Sequence, residues 1–222
     1  MPSDRIIKGF VVPPNSIHFK FTVKVISHFS TSQRSCGGTL ISPNYVLTAA
    51  HCIYEKTTPC QNVQVIQQDP ISKTDSTFEV SEVIPHPHFN SEAKTHDFAI
   101  LKLALPINNF FVCLPNDDQD QLVGANITVS GWGKTSPNAS VLSRVLKSAF
   151  VTGISNSDCS KIYAKAVNEI SGKNETNQPF DPTIICVDGQ LTQSSSCSGD
   201  SGGLSTFIDI RSLALMLTNV NQ

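Results

Sequence analysis

The sequence predicts an all-β fold. Two observations carry that prediction. Apolar and polar residues alternate in short runs, and each run is bounded by Gly, Pro, Asn, Asp or Ser, the pattern of strands joined by turns in a barrel or a sandwich. A single segment departs from it with helical spacing. A chain of 222 residues is long enough to bury a substantial core, and an all-β chain of this length is compatible with one domain.

In chain order, the alternating runs are Phe21-Thr-Val-Lys-Val-Ile26, Val63-Gln-Val-Ile66, Phe78-Glu-Val80 and Phe98 to Leu103. Asp158 to Ile170 is the exception: Ile162, Ala166, Val167 and Ile170 recur at helical intervals, with Ser155 or Ser157 as the cap, which predicts a short surface helix. Ser171 to Pro182 reads as a polar loop. Leu204 to Ile208, Asp209 to Arg211 and Ser212 to Leu217 read as strand, turn and strand. No internal repeat is present.

Composition excludes several classes of function. With a net charge of −2 and no basic cluster, neither nucleic acid nor an anionic membrane surface is expected as a partner. No apolar stretch approaches the length of a membrane span. Seven cysteines and the glycosylation sequons at Asn126, Asn138 and Asn174 point to the secretory path, hence to a secreted, extracellular protein. Met1-Pro2-Ser3-Asp4 is too short and polar for a signal peptide, so Met1 is not expected to be the true start.

The chemistry is concentrated in three separated motifs. In Gly199-Asp200-Ser201-Gly202-Gly203 a serine sits on a tight turn, where glycine reaches backbone angles that a side chain forbids, so the hydroxyl is exposed and backbone N–H groups can face a reacting oxygen. A serine hydroxyl needs a base to become a nucleophile. Thr48-Ala49-Ala50-His51-Cys52 supplies a histidine, and Asp97 supplies a carboxylate at the mouth of an apolar run. Taken singly, His51 reads as a buried core histidine, Asp97 as a strand-end cap and Ser201 as a turn serine. Together, in the order His, Asp, Ser, they fit the acyl-transfer triad.

With these three motifs the chain resembles the chymotrypsin/trypsin-like family of serine endopeptidases, from about Arg5 to about Leu204 and more weakly to Gln222. The resemblance implies two six-stranded antiparallel β-barrels with the active site in the cleft between them. The first barrel would cover about 6–115 and the second about 116–222, with residues 1–5 the remnant of a pro-segment. It implies Ser201 as nucleophile, His51 as general base and Asp97 as its orienting acid, with the N–H groups of Gly199 and Ser201 as the oxyanion hole. Arg5-Ile6-Ile7-Lys8-Gly9 resembles the family's activation site: cleavage after Arg5 would free the Ile6 ammonium to pair with Asp200. Lys8 stands where the family usually has glycine.

Ser195, six residues before Ser201, falls at the base of the family's primary specificity pocket, and Asn219 and Asn221 on its lining strand. A neutral base disfavours a preference for Arg or Lys and points to a chymotrypsin-like or elastase-like one. Cys36 with Cys52 and Cys159 with Cys186 match family disulfides, which leaves Cys60, Cys113 and Cys197 without assigned partners. Trp132, between Gly131 and Gly133, resembles the family's structural Gly-Trp-Gly. The implied partners are protein or peptide substrates, an activating protease and serine protease inhibitors, and a monomer is expected.

No cofactor is expected, and no metal site. Pro85-His86-Pro87-His88 suggests one, but the prolines break the periodicity that would align both imidazoles, and no further ligands are evident in the sequence. Only 21 residues follow Ser201, and Leu204 replaces the usual proline, so the second barrel is expected to be incomplete. The missing pocket wall favours an alternative reading: a non-catalytic protease homologue that acts as a binding or regulatory protein.

Overall fold

The computed structural model describes residues 9–93, 95–112, 114, 123–134, 140–171, 186–189, 201, 204–207 and 215–216. The chain enters through β1 (Phe10–Val11) and the single helical turn α1 (His18–Phe21). It continues through β2 (Thr22–His28), β3 (Gln33–Ser42), β4 (Tyr45–Thr48), β5 (Tyr54–Glu55), β6 (Thr58–Pro59), β7 (Asn62–Asp69), β8 (Thr74–Pro85) and β9 (Ala99–Leu103). Beyond these come β10 (Asn126–Gly131), β11 (Lys147–Ile154), the helix α2 (Asn156–Ser171), β12 (Cys186–Asp188), β13 (Leu204–Phe207) and β14 (Leu215–Met216).

Six strands, in the order β2-β3-β4-β9-β8-β7, close into an antiparallel barrel. Period-two side-chain alternation explains its filling: Val23 and Val25 of β2, Val63 and Val65 of β7, and Leu101 and Leu103 of β9 all point inward and are buried with Leu40 and Val46. Closure removes free sheet edges from this half of the molecule. At Gly38 of β3 an added Cβ would lie 2.8 Å from a Val46 methyl and 2.9 Å from a Val25 methyl, so only a residue without a side chain fits there. β8 departs from the short strand read at Phe78–Val80: it runs through Pro85, because its pairing alternates partners, first with β7 and then, past a register shift between Val80 and Glu82, with β9.

The second sheet has the order β1-β11-β10-β13-β14, with β12 also paired to β11. Ile127, Val129, Ala149 and Val151 form its buried face, with Val187 against them. Of the Leu204–Ile208 and Ser212–Leu217 runs, Leu204–Phe207 and Leu215–Met216 are β13 and β14 here, in the antiparallel register Leu204 with Met216 and Ser205 with Leu215; the rest of both runs lies outside the described residues. Trp132 packs with Val12, Phe19 and Leu146, donates its indole N–H to Gln68 Oε1 at 2.7 Å, and lies under the Lys24 ammonium. It thereby ties the end of the second sheet to the barrel.

The helix read at Asp158–Ile170 is α2, and its cap is Ser155: the Ser155 hydroxyl accepts the Asp158 N–H and donates to the Asp158 carboxylate. Ile162 is exposed, whereas Ser160 and Ala164, one turn apart, are buried. The tether from Cys159 to Cys186 of β12 turns this flank of the helix towards the sheet. The side chains of Ala166, Val167 and Ile170, and the loop from 172 to 182, lie outside the described residues.

Candidate functional site

Barrel topology assembles the site. β4 and β9 pair antiparallel with Thr48 opposite Ala99, so the exit of β4 and the entrance of β9 lie side by side. His51 follows Thr48 by three residues, on a 3-10 turn from Ala50 to Cys52, and Asp97 precedes Ala99 by two. Residues 46 apart in the chain are thus brought together by one strand pair. Asp97 uses both carboxylate oxygens: Oδ1 accepts the His51 backbone N–H at 2.8 Å, and Oδ2 meets His51 Nδ1 at 2.6 Å. The Asp97 side chain is 3% exposed and the imidazole 29%, so the carboxylate is shielded while the ring reaches the surface.

A carboxylate only accepts hydrogen bonds. Nδ1 therefore carries the proton, and Nε2 presents its lone pair outward. The arrangement can take a proton at Nε2 and stabilise the resulting imidazolium through the buried carboxylate.

Three further contacts fix the turn. The Cys36–Cys52 disulfide ties it to β3. The Thr48 hydroxyl donates to the Gly37 carbonyl at 2.8 Å. Arg34 donates through Nη1 to the carbonyl of His51, within the turn, and to that of Tyr54, the first residue of β5. Sequence reading missed Arg34, Gly37 and Thr48 as supports, since a donor to a backbone carbonyl leaves no motif.

Ser201 is buried beside this assembly. Its carbonyl accepts the Gly37 N–H at 2.8 Å and packs 3.7 Å from Cys52 Sγ, which itself lies 3.8 Å from His51 Nε2. Both sulfur contacts are van der Waals contacts, because a disulfide sulfur has no proton to donate. For the same reason the grouping of Cys36, His51 and Cys52 is no thiolate metal site: its two sulfurs are bonded to each other.

Gly199, Asp200, Ser195, Asn219, Asn221, Arg5 and Ile6 lie outside the described residues, as do Cys113, Cys197, Asn138 and Asn174. Asn126 is exposed at the first position of β10. Cys60 is a free, half-buried thiol whose pKa burial pushes up.

The sequence profile of the family described as Trypsin matches residues 6–204. The chain belongs to the trypsin family. It is a serine endopeptidase by that membership and acts on protein substrates. It is 32% identical to Trypsin 5G1 of Aedes aegypti, over 90% of this chain and 70% of that protein. It is 30% identical to Kallikrein-11 of Homo sapiens, over 90% of this chain and 66% of that protein. The solved structure of GrC superposes with a TM-score of 0.73 at 22% identity, covering 95% of this trypsin-family chain and 86% of that one, a likeness of fold alone. The closed barrel beside a second antiparallel sheet is consistent with the family's two-barrel architecture.

Proposed function

We propose that this chain hydrolyses peptide bonds through an acyl-enzyme on Ser201. The observation that carries the reading is the double hold of Asp97 on His51, with the Ser201 backbone packed against the same disulfide. In the proposed reaction Ser201 Oγ attacks the scissile carbonyl carbon and gives its proton to His51 Nε2. The tetrahedral oxyanion is held by the N–H groups of Gly199 and Ser201. The imidazolium then protonates the leaving amine, and a water activated by the same nitrogen releases the acid and regenerates the serine.

Activation proceeds by cleavage after Arg5, with the new Ile6 ammonium pairing with Asp200. The neutral Ser195, with Asn219 and Asn221, sets a chymotrypsin-like or elastase-like preference. The protein is secreted and monomeric, glycosylated at Asn126, Asn138 and Asn174, and open to serine protease inhibitors. Two disulfides, Cys36–Cys52 and Cys159–Cys186, support an oxidising compartment. No helix among the described residues is long and apolar enough to cross a membrane.

The test is labelling with a fluorophosphonate probe, using a chain that starts at Ile6 and its Ser201→Ala variant as control. Covalent label on the parent chain and none on the variant is the expected result. A folded parent that takes no label overturns the hydrolytic reading in favour of a binding role.

A further inference from the structure

We propose that Arg34 is a positioning residue for peptide hydrolysis: it fixes the peptide group that follows His51 and so sets where the catalytic imidazole stands. The inference rests on the function proposed above. Asp97 accounts for only one side of the His51 backbone, and Arg34 accounts for the other.

The turn that carries His51 is short. Its two backbone bonds run from the Cys52 N–H to the Ala49 carbonyl at 3.1 Å and from the Ile53 N–H to the Ala50 carbonyl at 2.9 Å. The next carbonyl in the series is that of His51. Its donor in a continued turn would be the Tyr54 N–H, but at Tyr54 the chain departs into β5, paired with Pro59. The His51 carbonyl is thus left at the C-terminal end of a helical turn, where unpaired carbonyls gather negative charge and favour a cation. The Arg34 guanidinium fills that place.

Nη1 carries two N–H groups, one for the His51 carbonyl and one for the Tyr54 carbonyl at 3.1 Å. Nη2 faces the Glu55 carboxylate at 3.9 Å, and the guanidinium lies over the Phe29 ring, 5.2 Å from its centre. The planar group is therefore held by the turn, by β5 and by the residue that follows β2. Strand period explains its reach. Arg34 and Cys36 stand two residues apart on β3, so their side chains leave the same face. β3 grips the turn twice, through the Cys36–Cys52 disulfide and through the bond from Arg34 to the His51 carbonyl. On the other side, Asp97 Oδ1 holds the His51 N–H at 2.8 Å. Both peptide groups that flank the His51 Cα are then tied. Only the side-chain torsions remain, and the bond from Nδ1 to Asp97 Oδ2 sets those.

Charge and geometry predict effects of opposite sign. A cation near an imidazole disfavours a second positive charge on that ring. If the charge of Arg34 were what mattered, its removal would ease proton uptake at Nε2 and speed the reaction. If the hold on the carbonyl is what matters, its removal frees the peptide and slows the reaction, since a displacement of about 1 Å at such a group costs on the order of a hundredfold in rate. The Glu55 carboxylate offsets part of the charge, which leaves the geometric effect to decide.

Steady-state hydrolysis of a chromogenic peptide by the chain that starts at Ile6 tests this. Arg34→Met keeps the stem and loses every donor. Arg34→Lys keeps a cation with donors but not the planar fork. Per folded chain, with the folded fraction taken from urea unfolding, kcat should fall about a hundredfold in Arg34→Met and about three- to tenfold in Arg34→Lys, with KM within about twofold of the parent in both. A kcat that is unchanged or raised, or a loss carried by KM, overturns the proposal. If Arg34→Met does not fold, Arg34→Lys decides alone, and a kcat equal to the parent's overturns it. Proton NMR of the Ser201→Ala chain gives a readout apart from hydrolysis. The His51 Nδ1 proton, bonded to Asp97, should give a far-downfield resonance that Arg34→Met broadens or abolishes and Arg34→Lys retains. An equally sharp resonance in Arg34→Met overturns the positioning role whether or not the chain hydrolyses peptides. A parent chain that hydrolyses nothing, with a resonance that depends on Arg34, overturns the peptidase reading and leaves the hold on His51 standing.

Discussion

At His51 the two ring nitrogens sit in different surroundings. Nδ1 is committed to a shielded carboxylate, which also holds the backbone N–H of the same residue, and Nε2 is the nitrogen that the proposed mechanism uses. An amide at position 97 would still accept the backbone N–H, but its NH2 group turned towards Nδ1 would force the proton to the other ring nitrogen and remove the lone pair from Nε2. On the proposed mechanism Asp97→Asn therefore lowers kcat by about 10⁴ with little change in KM. Steady-state hydrolysis of a chromogenic peptide checks this, and a loss smaller than tenfold would remove Asp97 from the mechanism. The chemical types at positions 51, 97 and 201 were legible in the sequence because each sits in its own local motif. Arg34 was not, since nothing near it in the chain marks the carbonyls that it meets in space.

Among the elements, α1 couples fold stability to acidity. His18 opens this turn, packs edge-on to Phe21 with ring centres 5.9 Å apart, and keeps its Nδ1 buried without a partner. Desolvation disfavours its imidazolium and lowers its pKa from the ordinary 6.5. The unfolded chain then binds the proton more readily than the fold does. The sign follows: this contribution is intact above the ordinary value and is lost as pH falls from there towards the lowered value. In His18→Leu the urea midpoint should drop less between about pH 7.5 and about pH 5.5 than it does in the parent. Identical drops in the two chains would exclude His18 as a source of acid lability. The strands were readable from alternation, but this helical turn was not: Phe21 opens the alternating run that forms β2, and a four-residue helix is too short to show a period.

For the whole molecule, the Cys36–Cys52 bridge joins barrel closure to site assembly. It spans 16 residues, ties β3 to the His51 turn, and presents a sulfur to the Ser201 carbonyl. Replacing both cysteines by serine should cost about 3 kcal/mol of stability, and should reduce activity at temperatures where the variant remains folded. Urea unfolding measures the first effect and hydrolysis by the folded fraction the second. An unchanged midpoint would mean that the barrel alone holds the turn. The all-β class, the helix α2, and the residue types at positions 51, 97 and 201 with their order in the chain were determined by the sequence by itself, because alternation, turn formers and local motifs are short-range properties. Which carboxylate oxygen meets which ring nitrogen and which guanidinium supports the turn were decided only by the tertiary structure. Those juxtapositions depend on strand pairing between distant segments, and the register of a pair is a property of the closed barrel rather than of either strand.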